Sequence, residues 1–486
     1  MIQGLRYLLF CTLLLLFAPS AAQKGEVRAV WLTTLSGLDW PQTKVHTPAD
    51  TLRQQRELLR LLDRLSLAGI NTIFFQTRIR ATVAYPSAIE PWDEAFTGTT
   101  GRSPGYDPLA FAIQECHKRN MELHAWIVAV PAGSREQVRR QASLALHRRK
   151  PDLALRTSEG YILNPGEPEA AAYLAELCAE IVSNYCVDGI HLDYIRYPEK
   201  EISFDDRSTY RRYHREGQTL QAWREENITR MLSLVSKGVR TLRPWVKMSC
   251  SVVGKRTDLP RYSARGWSAQ GRVAQNVKLW MEQGLVDWIV PMLYFDGRDF
   301  YPFIQDWVEA AQGTGTQIVA GLATYRLSTS AWPLSTLRRQ IEVSRLMGTA
   351  GQAFFRARFV ADNVKGNLDL LHALLYFSPA RTPLPLRIDT LPIEPPLKAS
   401  LTDHLRWSPS TSPDVGYRVY YSWDYDAEIY SFLTTTTDTI CLLPPVHSLF
   451  PFYYRITAVD KYGRESEPVP VNHPAEPRPL PLTRRP

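Results

Sequence analysis

The chain has little cysteine and none of the short signatures that mark a zinc centre, a phosphate cradle or an activated serine. Six cysteines occur in 486 residues. Cys11 lies in an apolar N-terminal run, which leaves Cys116, Cys178, Cys186, Cys250 and Cys441 at irregular spacings. An odd set without a repeating interval defines no disulfide framework, and no CxxC pair begins a zinc site. Cys178 and Cys186 are close enough in sequence to pair if a helix end meets the next strand, but two small buried apolar groups are the simpler expectation. HExxH, GxSxG and Walker-loop patterns are missing, which removes the usual signatures of zinc proteases, α/β-hydrolases and P-loop enzymes. His124, His191 and a carboxylate lack the spacing of a metal motif, so no cofactor is expected. The net charge of +8 is scattered in small clusters such as Arg139-Arg140, Arg148-Arg149-Lys150 and Arg211-Arg212. Nucleic-acid binding needs a concentrated basic face, and none is evident.

What is present begins with an address. Arg6 precedes an apolar run over 8–18, and Pro19-Ser20-Ala21-Ala22 then offers small residues for cleavage after Ala22. This is the pattern of a secretory signal peptide, so 1–22 is set aside from the fold and a secreted or periplasmic location is expected. The run is short for a membrane span, and no integral membrane segment is expected after cleavage. The remaining length calls for two domains, one of them large.

Strand and helix patterns alternate along the first 376 residues. Apolar strand-like runs fall at 27–34, 70–76, 121–130, 187–197, 246–252, 286–295, 317–323 and 352–356. Between and after them lie helical stretches, the first carrying Leu58, Leu61, Leu62 and Leu65 on one face. Asp107-Pro108 reads as an N-cap followed by proline at the first helical position. Eight such units predict parallel strands with helical crossovers, a (β/α)₈ TIM barrel over 25–376. A doubly wound open sheet would need a glycine-rich loop after the first strand, and Thr33-Thr34-Leu35-Ser36-Gly37 is not one. The longest insertions follow strands two, three and four, on the face where such barrels build their sites. Six prolines between 377 and 398 mark a linker. Short strands and turns over 399–472 predict an all-β sandwich, and the Pro- and Arg-rich 473–486 a disordered tail.

The chemistry gathers at the strand ends. In Val187-Asp188-Gly189-Ile190-His191-Leu192-Asp193-Tyr194, alternation sends Ile190 and Leu192 toward a covering helix and His191 and Asp193 inward. Trp31, Gln76, Arg78, His124 and Trp126 stand in equivalent places on earlier strands; Tyr194, Arg196 and Tyr294 follow. Aromatic faces with amide, guanidinium and carboxylate groups suit a sugar, whose C–H faces pack on rings and whose hydroxyls need polar partners. Glycosidic cleavage usually takes two carboxyl groups. Asp193 is expected as the ionised one, with Arg196 and His191 beside it. Asp296, two residues past Tyr294, is expected as the acid, with Glu90, Asp93 and Asp39 as rivals.

Several ordered segments resemble the bacterial glycosyl hydrolase-like 10 family: Val27-Arg28-Ala29-Val30-Trp31-Leu32-Thr33-Thr34, Phe74-Phe75-Gln76-Thr77-Arg78, Tyr85-Pro86-Ser87-Ala88-Ile89-Glu90-Pro91-Trp92, Gly105-Tyr106-Asp107-Pro108, Met121-Glu122-Leu123-His124-Ala125-Trp126, Leu163-Asn164-Pro165-Gly166 and Asp188-Gly189-Ile190-His191-Leu192-Asp193-Tyr194. The resemblance implies a barrel glycosidase acting on a cell-envelope polysaccharide, with peptidoglycan glycan strands foremost. It places Asp193 at the family's fourth-strand carboxylate. It departs at Tyr194, where a second Asp is common. A non-catalytic glycan-binding protein on a degenerate barrel is the alternative. Trp407, Gly416-Tyr417-Arg418-Val419-Tyr420 and Tyr453-Tyr454-Arg455-Ile456-Thr457-Ala458-Val459-Asp460 resemble fibronectin type III domains, which implies a spacer or a contact with an envelope protein or glycan.

Overall fold

The computed structural model describes residues 25–471 except 200, 260–261, 263–267, 330–331, 389–391, 414, 428–429, 449–450 and 461–462. The expected leader at 1–22 and tail at 473–486 lie outside the described residues. The chain divides into two compact units, one spanning Val27–Pro392 and one containing Ile393–Val459.

Eight parallel strands form the centre of the first unit: β1 (Val27–Leu32), β2 (Thr72–Ile79), β3 (Glu122–Val128), β4 (Gly189–Asp193), β5 (Lys247–Val253), β6 (Trp288–Met292), β7 (Gln317–Leu322) and β8 (Gly351–Phe355). Each pairs with the next, and β8 pairs back onto β1, which closes the barrel. The principal crossover helices are α1 (Pro48–Leu67), α2 (Pro108–His117), α3 (Pro168–Asn184), α4 (Leu220–Leu242), α5 (Val277–Glu282), α6 (Gly297–Ala311) and α7 (Leu334–Leu346), with α8 (Asn367–Leu370) running into a π-turn at Leu371–Leu375.

Local chemistry fixes these elements. Thr47, the N-cap ahead of Pro48, forms a reciprocal capping box with Asp50, and Leu58, Leu61, Leu62 and Leu65 of α1 are all buried. Asp107 caps α2 by accepting from the Ala110 N–H at 3.0 Å. Strand alternation then sorts the core into two layers. Ile190, Leu192, Ile73 and Phe75 face the helices. Trp31, Phe74, Trp126, Trp288 and Val290 fill the barrel interior, where Phe74 stacks on His191 at 3.9 Å and His124 on Trp288 at 5.0 Å.

The proline-rich segment after α8 is largely part of the barrel unit. Arg28 Nη1 donates to Ser378 O at 2.7 Å, Asn71 Nδ2 to Ala380 O at 2.8 Å, and Lys247 Nζ to Thr382 Oγ1 at 2.9 Å. Arg387 pairs with Asp287 at 2.7 Å. These partners sit at strand starts, so the segment is a strap across the N-terminal end of the barrel and only its last residues lead onward.

The second unit is all-β. Strands β9 (Leu397–Leu401), β10 (Leu405–Ser408) and β13 (Ile440–Cys441) form one antiparallel sheet. The other runs in the order β12 (Ser431–Thr436), β11 (Gly416–Ser422), β14 (Tyr453–Val459), β15 (Val469–Pro470). Leu405, Trp407, Val419, Tyr454 and Ile456 form its core. The five cysteines among the described residues are free thiols, Cys186 exposed and the others buried, so Cys178 and Cys186 do not pair.

Candidate active site

The insertions after β2, β3 and β4 rise around the C-terminal end of the barrel. The β3 insertion folds as a small antiparallel sheet of Pro131–Ser134, Gly160–Leu163 and Ala154–Arg156. Its first two strands cross so closely that a Cβ on Gly160 would lie 2.1 Å from Gly133 O. This sheet walls one side of a cavity of about 530 Å³, and Asp193 at the end of β4 faces into it.

Asp193 is only 6% exposed. Tyr194 turns the chain beyond it with φ of +50°, a left-handed conformation uncommon for a bulky side chain. That turn lets the Tyr194 N–H donate to Asp193 Oδ1 at 2.8 Å, while Trp126 Nε1 donates to Oδ2 at 3.1 Å. Burial pushes the carboxyl above the ordinary aspartate range, opposed in part by the Arg196 guanidinium and then by the Tyr194 and Trp126 N–H groups. The net direction favours the protonated form, opposite to the ionised role expected from its neighbours. His191 gives Asp193 no support because its ring is engaged elsewhere. Trp31 Nε1 donates to Nε2 at 3.0 Å, Ser251 Oγ lies 2.8 Å from Nε2, and Ser249 Oγ lies 2.9 Å from Nδ1. Burial drives the imidazole well below its usual range, so it is neutral with its proton on Nδ1 toward Ser249.

Of the residues expected to hold a sugar, Trp31, Gln76, Trp126, Tyr194, Arg196 and Tyr294 wall the cavity. Gln76 Oε1 accepts from the Thr34 N–H at 2.9 Å and from Thr33 Oγ1 at 2.8 Å, which leaves its Nε2 as the donor on offer. Tyr294 is held protonated chiefly by burial. Its ring lies 5.9 Å from Phe355, which lies 6.0 Å from Trp31, so three aromatic faces run together along one wall.

Three expected sugar ligands do not line this cavity. Arg78 is fully buried and forms a two-point bond with Glu90, at 2.9 Å from Nε and 2.8 Å from Nη2, while Nη1 donates to Ala129 O at 2.9 Å. It pins the second loop to the end of β3. His124 lies deep in the barrel, with Nε2 3.1 Å from Glu122 Oε2. His191 forms the packed layer beneath the site.

Among the carboxylates, Asp296 is exposed ahead of α6, accepts from Trp332 Nε1 at 3.1 Å, and does not line the cavity. The rivals are committed elsewhere: Glu90 to Arg78 and Tyr173, Asp93 to Thr82 and the Ala95 N–H, Asp39 to Arg356 and the Thr33 N–H. The acids that do share the wall with Asp193 are Glu199 and Glu159. Arg196 acts on Asp193 through space and holds the first directly: its Nη2 donates to Glu199 Oε1 at 2.8 Å and its guanidinium lies 4.3 Å from the Tyr194 ring centre. Glu199 follows Pro198 directly, so proximity in sequence to Asp193 was its available signal. Arg80, Tyr161, Phe355 and Arg356 also line the wall. They come from three different loops and strand ends, which local pattern does not bring together.

A closed (β/α)₈ barrel that places a buried carboxyl in an aromatic-walled cavity at its strand ends has the layout of a barrel glycosidase. The chain belongs to the glycosyl hydrolase-like 10 family, whose profile matches residues 26–332 and so takes in every strand from β1 to β7. It is 32% identical over 333 residues to the glycosyl hydrolase DigH of Escherichia coli (strain K12), covering 64% of this chain and 76% of that one. It is 28% identical over 405 residues to the glycosyl hydrolase YngK of Bacillus subtilis (strain 168), covering 78% of each. The catalytic domain of a beta-amylase from Paenibacillus polymyxa superposes with a TM-score of 0.50 at 11% identity, covering 74% of this chain and 99% of that one, a likeness of fold alone. Membership of this family makes the barrel a glycoside hydrolase.

Proposed function

We propose that the chain is an exported hydrolase that cuts glycosidic bonds in a cell-envelope polysaccharide, with peptidoglycan glycan strands as the first substrate. The leader pattern over 1–22 supports export. The observation that carries the reading is Asp193, a buried carboxyl shifted toward its protonated form at the floor of an aromatic-walled cavity.

In this reading Asp193 donates its proton to the glycosidic oxygen. The C1–O bond breaks, the electron pair leaves with that oxygen, and positive charge develops at C1. Glu199 serves as the second carboxylate, either attacking C1 or taking a proton from the water that does. Arg196 holds Glu199 in place and offsets the charge left on Asp193 after transfer. Phe355 and Tyr294, backed by the buried Trp31, present faces to the sugar rings, and the Tyr294 phenol and Gln76 Nε2 are donors for hydroxyls. The second unit supplies a non-catalytic contact with the same envelope, a reading supported by its exposed Trp423 and Tyr425.

Counting new reducing ends released from purified peptidoglycan glycan strands tests the proposal. Release by the intact protein and its loss in Glu199→Gln support it. Release that survives Glu199→Gln but is abolished by Asp296→Asn returns the second role to Asp296. Binding without any new reducing ends contradicts the hydrolytic reading.

A further inference from the structure

Three guanidinium groups line the cavity: Arg80, Arg196 and Arg356. Two are matched within the protein, Arg196 by Glu199 at 2.8 Å and Arg356 by Asp39. Arg80 is different. Among the described residues its side chain forms no hydrogen bond and no ion pair; only its backbone oxygen is engaged, by Gln141 Nε2 at 3.3 Å. The acids in its surroundings are Asp93 and Glu94, and both are occupied. Asp93 accepts from Thr82 and, at 2.7 Å, from the Ala95 N–H. Glu94 accepts from Arg140 at 3.1 and 2.7 Å.

The arrangement costs stability, because a partly buried cation with no direct partner has surrendered water and gains only the through-space attraction of Asp93 and Glu94 in return. Burial accordingly pulls Arg80 below the usual arginine range. The backbone adds to this: Arg80 and Ala81 adopt φ of +53° and +61°, two successive non-glycine residues in the left-handed region. The turn directly follows β2 and holds Arg80 on the same cavity wall as Tyr194, which lies within its electrostatic reach.

We infer that Arg80 selects a substrate whose sugar carries a carboxylate, binding that group with its guanidinium beside the bond to be cut. The inference deepens the glycosidase reading of this cavity and rests on it for the sugar. The carboxylate belongs either to an ether-linked acid, as on the muramic residues of peptidoglycan strands freed of their peptides, or to a uronic acid ring. Both present the planar oxygen pair that an arginine fork matches.

The test titrates glycans into protein carrying Asp193→Asn, so that nothing is cleaved, with Arg80 intact or changed to Gln or Lys. Three ligands are compared by calorimetry: peptidoglycan strands freed of peptides, the same strands with their carboxyls chemically reduced to alcohols, and a uronic-acid oligosaccharide. With Arg80 intact, acid-bearing glycan binds about tenfold or more tightly than its reduced counterpart, the worth of one charge-assisted contact. Arg80→Gln removes that difference, and Arg80→Lys restores part of it. Preference between the muramyl and uronic ligands identifies the source of the carboxylate. Equal affinity for acid-bearing and reduced strands with Arg80 intact overturns the inference, as does an equal loss on both when Arg80 is changed. Titrating protein with Asp193 intact and measuring at early times repeats the comparison if the Asn background does not fold. Reducing-end release is scored separately, so a protein that cuts glycans without regard to charge sinks this inference alone, and one that binds acid-bearing glycan through Arg80 without cutting sinks the hydrolytic reading alone.

Discussion

Gly189 has no side chain because the His124 ring fills the space beside it. A Cβ there would lie 2.3 Å from His124 Nδ1, and the ring is held in place by its stack on Trp288. Gly189→Ala is therefore expected to destabilise the barrel by about 1–3 kcal/mol, read from a denaturant midpoint. The same strand shows how far single residues were legible. Alternation placed Ile190 and Leu192 outward and His191 and Asp193 inward, as found. It did not give height along the barrel axis. His124 pairs with Gly189, Trp126 with His191 and Val128 with Asp193, so three inward positions on β4 lie at three depths and only the last is in the cavity. Asp296 lies outside the cavity for a related reason. Its two-residue offset from Tyr294 carries meaning only inside a strand, and β6 stops at Met292. For Asp193 the pH consequence follows from its raised pKa. A general acid must hold its proton, so kcat/KM should fall as pH rises through a value above the ordinary aspartate range. Arg196→Met removes an opposing cation and should move that limb further toward alkaline pH.

At the scale of elements, the second βα insertion is anchored by one buried pair. Arg78 and Glu90 are both inaccessible to solvent, and each also binds a second element, Arg78 through Ala129 O and Glu90 through the Tyr173 hydroxyl at 2.9 Å. Arg78→Met leaves a buried carboxylate unpaired and should cost about 3–5 kcal/mol, measured by chemical unfolding. The sequence points Arg78 at the sugar through its place at the end of the second strand. The register of β2 against β3 shifts between Gln76 and Arg78, and that bulge turns Arg78 away from the cavity. A second link joins α2 to β4: His117 Nε2 lies 2.8 Å from Asp188 Oδ2, and the bond to Asp188 holds the imidazole above its usual range despite burial. A raised histidine pKa means that the folded state binds the proton more tightly. The stabilisation is thus complete below about pH 6.5 and is lost as pH rises through the folded value. Both side chains are partly exposed, so solvent screening limits the effect to about 1 kcal/mol or less. His117→Gln should lower the melting temperature at pH 6 and have less effect at pH 8.5.

At the scale of the molecule, the barrel and the all-β unit were both legible, because eight alternating helix and strand periods and a later series of short strands are repeated signals. The strap was not, since its contacts are carbonyls and polar tips meeting side chains hundreds of residues earlier. Lys247 and Glu122, 2.6 Å apart, both meet Thr382 across the base of the barrel. A chain ending at Pro392 should melt as the intact barrel does, whereas one ending at Tyr376 uncovers that pair and should melt lower. The most direct test of the central claim is the rate at which new reducing ends appear from peptidoglycan glycan strands treated with Asp193→Asn, its fold verified by circular dichroism. The account predicts a loss of turnover by orders of magnitude with glycan binding retained; undiminished turnover would contradict it.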